Sequence, residues 1–161
     1  MAKVVALASA LYILALAAIS NAHNNLFLFN VEGDVYCDPC RVQFETELSQ
    51  KLVGATVRLE CRHADTKTVI YSLEGITGPN GHYNLSVVGD HGDEICEVSV
   101  VNSPNNECNE PLGEKSRVVL SNNDGMHSTV RIANAIGFQT KTALPQCGPV
   151  LFNMGVVVES R

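Results

Sequence analysis

The ten residues Glu32 to Arg41, EGDVYCDPCR, contain two cysteines, Cys37 and Cys40, separated by Asp38 and Pro39. A Cys-x-x-Cys pair occurs in thiol–disulfide redox centres, in zinc sites and in proteins held together by structural disulfides. These possibilities lead to an enzyme, a metalloprotein or a disulfide-stabilised extracellular domain. The sequence on either side of the stretch distinguishes among them.

The surroundings of the pair favour structural disulfides. A thioredoxin-like redox centre opens a helix in a βαβ context, whereas the residues around Cys37 and Cys40 are strand-like. A structural zinc site usually has a second pair of closely spaced ligands, and neither Cys61 with His63 nor the isolated Cys108 has that spacing. We therefore expect no metal and no cofactor, and an oxidoreductase using Cys37 and Cys40 is the alternative hypothesis.

The N-terminus predicts secretion. Lys3 precedes Val4 to Ile19, a run without charge, and Ser20-Asn21-Ala22 then supplies small residues at the positions that signal peptidase requires. The uncharged run is shorter than the roughly 20 residues that span a bilayer. We therefore predict a signal peptide at residues 1–22, cleaved after Ala22, and a mature chain of residues 23–161 without a membrane span.

The mature chain has the size of one domain and an acidic charge. Removal of Lys3 leaves 10 Lys and Arg residues against 17 Asp and Glu, a formal charge of −7. Nucleic-acid-binding proteins concentrate positive charge, so no nucleic-acid partner is expected. The six cysteines all follow residue 22, and an even number behind a signal peptide predicts three disulfides with 15 pairings open.

Residues alternating with period two predict an all-β domain. The predicted strands are Leu26–Val31, Asp34–Cys37, Ala55–Cys61, Thr68–Leu73, His82–Val88, Glu94–Val101 and Ser116–Leu120, with weaker candidates at Thr129–Ile132 and Val150–Phe152. A bulge is expected at Gly33, and a hairpin over residues 68–88 around the turn Gly78–Gly81. Residues 41–52 predict a short helix or an irregular excursion. An antiparallel sandwich or barrel follows from many short strands separated by turns.

A glycosylation sequon lies on one of these strands. Asn84-Leu85-Ser86 is the chain's one Asn-x-Ser/Thr with a non-proline middle residue. Because Tyr83, Leu85 and Val87 share a strand face, Asn84 points to the other side, where a glycan is compatible with folding. We predict that Asn84 is glycosylated.

The residues that carry catalysis in hydrolases do not form a recognisable pattern. Five histidines are present, at positions 23, 63, 82, 91 and 127, but neither Gly-x-Ser-x-Gly nor His-Glu-x-x-His occurs. The acidic run Asp90 to Glu94 has cation ligands without the calcium-loop pattern, so a solvated turn is the favoured interpretation. The sequence predicts a protein that is not an enzyme.

The opening stretch and the cysteine spacing together resemble the Ole e I-like family, the family of the olive major pollen allergen, and within it the branch of pollen-specific secreted glycoproteins. The cysteines are separated by 3, 21, 35, 12 and 39 positions, a spacing similar to that of the family throughout. Gly54–Val57 and Ile136–Phe138 stand where similar proteins have like residues. The tail Asn153–Val158 departs from the family and is expected to form a last strand or a loose terminus.

The resemblance implies more than the residues alone do. It implies a compact antiparallel barrel or sandwich of about seven strands, with disulfides Cys37–Cys108, Cys40–Cys147 and Cys61–Cys96. It also implies a secreted, often glycosylated and sometimes allergenic protein of the pollen surface or wall. Because some members are implicated in pollen hydration, germination or tube growth, one of them through a receptor kinase, the resemblance implies such a role here, with an extracellular or receptor-kinase partner. A carrier of a small ligand or carbohydrate is a further alternative, which a polar cavity inside the barrel would favour.

Overall fold

The computed structural model describes residues 27–156. The predicted signal peptide, its cleavage site, His23 and residues 157–161 lie outside this range. The elements are β1 (Leu28–Asp38), β2 (Gln50–Lys51), β3 (Thr56–His63), β4 (Val69–Ile76), a 3-10 turn (Pro79–Gly81), β5 (His82–Val88), β6 (Glu94–Asn102), β7 (Glu110–Pro111), β8 (Ser116–Val118), β9 (Val130–Ile132), β10 (Ile136–Gln139) and α1 (Cys147–Asn153).

The strands form two sheets that pack as a sandwich. Strands β4, β3, β6 and β8 make an antiparallel sheet in that order. The other sheet is built around the long β1, whose first part pairs with β5 and β9 and whose last part pairs with β2 and β10. The predicted sandwich is therefore correct, while the sheets do not close into a barrel. Its antiparallel character is incomplete, because β9 and β10 run parallel to β1.

The core follows the alternation read from the sequence. In β3, Val57, Leu59 and Cys61 are fully buried while the residues between them are partly exposed. In β5, Tyr83, Leu85 and Val87 are buried and their neighbours are exposed. No helix formed by residues 27–156 has the length and apolarity to cross a membrane.

The predicted bulge at Gly33 is wrong. Gly33 lies in unbroken register with Tyr83 of β5. A β-carbon at Gly33 would overlap the hydroxyl and ring of Tyr83. A glycine is needed at position 33 so that the Tyr83 side chain can lie across the backbone of β1. The strand contains no extra, bulged residue at this point.

The predicted hairpin over residues 68–88 is also wrong, because its two strands belong to different sheets. Strand β4 pairs with β3 and β5 pairs with β1, so the 3-10 turn carries the chain from one sheet to the other. The buried Thr77 holds the start of this crossing: its hydroxyl donates to the carbonyl of Leu52 and accepts from the amide of Ala55. Alternation identified the inward faces but could not identify the pairing partners.

Two further segments can be compared with their predictions. For residues 41–52 the structure decides between a helix and an irregular excursion, and for Val150–Phe152 it differs from the predicted strand. Residues 41–52 contain no helix; they are irregular as far as β2. The weak strand predicted at Val150–Phe152 is wrong, because these residues belong to α1. Cys147 and Leu151, four positions apart, share one helix face and pack in a small cluster with Cys40. This burial outweighs the strand propensity of the β-branched and aromatic residues.

Candidate binding surface

All six cysteines are joined in disulfides. The bonds are Cys37–Cys108, Cys40–Cys147 and Cys61–Cys96, with sequence separations of 71, 107 and 35. This is the pairing that the family resemblance implied. Cys37 and Cys40 therefore reach to two distant segments and are not bonded to each other, which leaves the oxidoreductase hypothesis without its dithiol.

Asp38, between the two cysteines, organises the segment that follows. It is fully buried. Its carboxylate accepts hydrogen bonds of 2.7 to 2.9 Å from four successive backbone amides, those of Cys40, Arg41, Val42 and Gln43. The positive φ angles of Arg41 and Gln43 turn these amides toward one point. Sequence reasoning missed this role, although Asp before a turn residue is a known signal for such bonding.

Arg41 joins the motif to the strands beside it. Its guanidinium lies 2.7 Å from a carboxylate oxygen of Glu110 and also donates to the carbonyl of Thr140. The segments that carry Glu110 and Thr140 also carry the distant disulfide partners. The EGDVYCDPCR stretch is thus a structural junction of two disulfides, a carboxylate and an arginine.

Arg131 on β9 is a second buried polar centre that the sequence did not reveal. Only 4% of its surface is exposed, and its guanidinium lies 4.9 Å from the ring centre of Phe29. It donates to the carbonyls of Val119, Ser121 and Ser128 and lies 2.8 Å from a carboxylate oxygen of Asp124. It therefore fastens the loop between β8 and β9 to the core.

The four histidines within residues 27–156 are spread over the domain. His91 is buried, with Nδ1 2.9 Å from a Glu94 carboxylate oxygen. Its possible ligand atoms lie within 4.8 Å of those of Glu94, Cys61 and Cys96. Because both sulfurs are joined in a disulfide, they offer no thiolate to a metal.

The acidic run behaves as a turn in the part of the chain that the structure describes. One oxygen of the Asp90 carboxylate accepts from the amide of Gly92, and the other accepts from that of Asn122, at 3.0 and 3.4 Å. Asp93 is exposed to solvent. These contacts agree with the interpretation of Asp90–Glu94 as a solvated turn, apart from the buried His91 at its centre.

The outer face of the β1 sheet holds the sequon. Asn84 is exposed, as its place in the alternation predicts, and its Nδ2 donates to a Glu32 carboxylate oxygen at 2.8 Å. Beside it, His82 lies 2.9 Å from Asp34. This hydrogen bond, helped by the nearby Lys51 ammonium and opposed by partial burial, holds the pKa of Asp34 below its usual value.

Two clefts meet at Ile132 on this side of the domain, and 73% of that residue is exposed. The first, of about 180 Å³, is lined by Glu32, Gly33, Asp34, His82, Ile132, Ala133 and Ala135. The second, of about 350 Å³, lies between β8 and β9. It is lined mainly by apolar residues, Val118, Val119, Met126, Val130 and Ile132, together with Arg117 and Arg131.

The β8–β9 cleft combines apolar surface with an available charge. About half of the surface of Val119 and of Met126 is exposed, at 52% each. Arg131 is engaged by the loop, whereas Arg117 is exposed and, within residues 27–156, forms no ion pair. By contrast, large side chains such as Tyr83, Phe138, Leu59 and Leu120 fill the interior between the sheets. This packing disfavours the carrier hypothesis.

The chain is similar to pollen proteins along most of its length. The family model described as pollen protein Ole e 1 like matches residues 27–155. The chain is 48% identical to the anther-specific protein LAT52 of Solanum lycopersicum over 158 residues, 97% of each chain. It is 43% identical to the pollen allergen Che a 1 of Chenopodium album over 150 residues, 90% of this chain and 88% of that one. The crystal structure of the plantain pollen allergen Pla l 1 has a TM-score of 0.68 and 39% identity, covering 74% of this chain and 99% of that one.

Proposed function

The chain belongs to the Ole e 1-like family of pollen proteins, and from this membership we propose that it is a secreted, non-enzymatic glycoprotein that binds an extracellular protein during pollen hydration, germination or tube growth. The observation that carries the proposal is the similarity to an anther-specific protein along 97% of both chains. The predicted signal peptide adds secretion to the pollen surface or wall, and the allergens among the relatives make this chain a potential allergen.

The proposal of a binding role is supported by what the described residues offer chemically. Each cysteine is engaged in a disulfide. The buried polar groups Asp38 and Arg131 are occupied by backbone atoms and by Asp124. Within residues 27–156, no serine or cysteine nucleophile stands beside a histidine and an orienting carboxylate among the hydrogen bonds described above. What the surface does offer is clefts lined by apolar and charged side chains.

We assign the protein contact to the β8–β9 cleft. Interfaces are enriched in methionine and arginine at their centres, and Met126 and Arg117 both line this cleft. A partner that places an aliphatic side chain against Val119 and Met126 and a carboxylate near Arg117 would match it. By family resemblance, the ectodomain of a pollen receptor kinase is the expected partner class.

The test measures binding of the purified, secreted protein to a panel of receptor-kinase ectodomains from pollen by surface plasmon resonance. We expect at least one ectodomain to bind. We expect Val119→Asp to lower the affinity for it about tenfold or more, since a buried interfacial charge is costly. Ile70→Asp is the matched control, because Ile70 on β4 is 54% exposed and Val119 is 52% exposed. An equal loss of affinity in both variants would show that the β8–β9 cleft is not the contact site. Normal hydration and tube growth in pollen lacking the protein would reject the proposed role.

A further inference from the structure

Three residues on neighbouring strands form one row across the outer face of the β1 sheet. Asn84 of β5 lies opposite Glu32 of β1, and Glu32 lies opposite Ile132 of β9. Asn84 and Ile132 are exposed and Glu32 is partly exposed, while the residues beside them on β5 and β9 are buried, so the row faces outward. With about 4.8 Å between strands, Asn84 and Ile132 are about 10 Å apart.

The row passes from a glycosylation sequon to an exposed apolar side chain. The cleft of about 180 Å³ borders two members of the row, Glu32 and Ile132. Its other polar lining residues are Asp34 and His82, and its other apolar ones are Ala133 and Ala135. A sugar residue has the same two characters, since it carries hydroxyl and acetamido groups around apolar C–H faces. Glu32 stands between Asn84 and Ile132 in the strand register, so a glycan that follows the row meets the carboxylate first and the apolar side chain second.

The Glu32 contact directs the amide of Asn84 along the row. Among the described residues β5 pairs with β1 and with no other strand, and the side chain of Asn84 is exposed. The 2.8 Å bond from Nδ2 to Glu32 turns the amide nitrogen toward β1. In glycosylation, C1 of a lipid-diphosphate-linked oligosaccharide bonds to Nδ2. The bond from C1 to the diphosphate breaks, the diphosphate departs with the bonding pair, and it takes up the proton that Nδ2 loses. One hydrogen remains on Nδ2 to bond Glu32.

We propose that the N-glycan on Asn84 lies across the outer face of β1, with its first sugars over Glu32 and His82 and against Ile132. The inference rests on the secretory route contained in the proposed function. The glycan shields Ile132 from water and fills the first cleft. It leaves Val119 and Met126 of the β8–β9 cleft free for a protein partner.

The experiment compares glycosylated and unglycosylated forms of the full precursor expressed and secreted by plant cells. Ser86→Ala removes the sequon and leaves Asn84 and its bond to Glu32 in place. Both the glycosylated and the unglycosylated form are made with Ile132 and with Ile132→Ser. Intact mass gives the glycan occupancy of each protein, and the midpoint of thermal unfolding gives its stability. We expect the glycan to raise the midpoint with Ile132 present, and about 3 °C of that rise to disappear in Ile132→Ser. Nuclear Overhauser effects should join the acetamido methyl groups to the Ile132 methyls.

A relocated glycan provides the matched control. Ser72→Asn with Glu74→Thr creates a sequon on the exposed face of β4, in the other sheet, and Ser86→Ala removes the native one. We expect that glycan to change the midpoint of thermal unfolding by the same amount with Ile132 and with Ile132→Ser. An equal effect of the Asn84 glycan in both backgrounds, without Overhauser effects to Ile132, would overturn the proposal. A secreted chain with Asn84 unmodified would overturn it without affecting the binding role, whereas a chain retained inside the cell would overturn both.

Discussion

The carboxylate of Asp38 accepts a 2.9 Å hydrogen bond from the backbone amide of Cys40. The two residues stand in the same four-residue motif, and the bond sets the direction in which the second cysteine leaves β1. Cys37 still lies in the strand and reaches Cys108, while Cys40 lies past the turn and reaches Cys147. The aspartate inside the Cys-x-x-Cys therefore directs the two cysteines to disulfide partners in different parts of the fold.

We expect Asp38→Ala to lower the free energy of unfolding by about 4 kcal/mol, because one buried and three partly buried amide hydrogen bonds lose their acceptor and a buried unsatisfied amide costs about 1–3 kcal/mol. Asp38→Asn keeps one acceptor oxygen but turns an NH2 donor toward the amides, so we expect it to lower the free energy of unfolding by about 2 kcal/mol. Urea unfolding at pH 7 measures both. Asp65→Asn, an exposed aspartate, should change stability by less than about 0.5 kcal/mol. A similar effect at both positions would contradict the role of Asp38.

The disulfides should differ in their contribution to stability according to the loops they close. Loop entropy predicts a loss of about 5 kcal/mol for Cys40→Ser with Cys147→Ser and about 4 kcal/mol for Cys61→Ser with Cys96→Ser, since the bonds span 107 and 35 residues. Denaturant unfolding of the two double variants tests the order.

Peptide mapping of the non-reduced protein tests the pairing directly. It should recover Cys37 linked to Cys108 and Cys40 linked to Cys147. A peptide containing a Cys37–Cys40 bridge, or free thiols at both positions, would contradict the pairing and revive the oxidoreductase hypothesis.

The strands and their buried faces were largely predictable from sequence, because a half-buried strand leaves a period-two pattern in its own residues. Val57, Leu59 and Cys61 in β3 are an example. The partner of a strand leaves no such local record. The alternation of His82–Val88 is equally compatible with pairing to β4, which we predicted, and with pairing to β1, which the structure has.

The polar centres were hidden for a similar reason. Arg131 occupies an inward position of a three-residue strand, where its neighbours in sequence give no indication that a loop seven residues earlier supplies Asp124. Gly33 was recognised as unusual, but a glycine can mark a bulge or the close approach of another group. Only the position of Tyr83 across the sheet decides between these two roles. The cysteine pairing was reached through family resemblance and not from local pattern.

Arg131→Met should be among the most destabilising single substitutions in the domain. It leaves Asp124, whose side chain is 11% exposed, and four carbonyls without their donor, and breaking such a buried pair costs about 3–5 kcal/mol. Arg131→Lys keeps the charge without the planar set of donors, so we expect a loss of about 2 kcal/mol. Urea unfolding gives these values.

The double variant Arg131→Met with Asp124→Asn separates loss of the ion pair from loss of packing. If the unpaired carboxylate causes much of the effect, the double variant should be more stable than Arg131→Met alone by about 1 kcal/mol or more. Amide hydrogen exchange in residues 119–130 should increase in Arg131→Met, because the loop loses its attachment. Unchanged exchange there would show that Arg131 does not hold the loop.

Tyr83→Phe should leave the protein as stable at pH 7 or more stable by about 1 kcal/mol. The Tyr83 hydroxyl is buried over Gly33 and has no hydrogen-bond partner among the described residues, so its removal relieves the desolvation of a polar group. Burial, reinforced by the negative charge of Asp34, raises the pKa of Tyr83. Because the folded pKa lies above the unfolded value of about 10, the wild type loses stability as the pH rises above 10, and Tyr83→Phe escapes this loss. Unfolding curves at pH 7 and pH 10.5 should show that the free energy of unfolding of Tyr83→Phe exceeds that of the wild type by more at the higher pH. Tyr71→Phe, at a half-exposed position, serves as the control for loss of a hydroxyl. A destabilisation of more than about 1 kcal/mol by Tyr83→Phe at pH 7 would mean that the hydroxyl is hydrogen-bonded in solution.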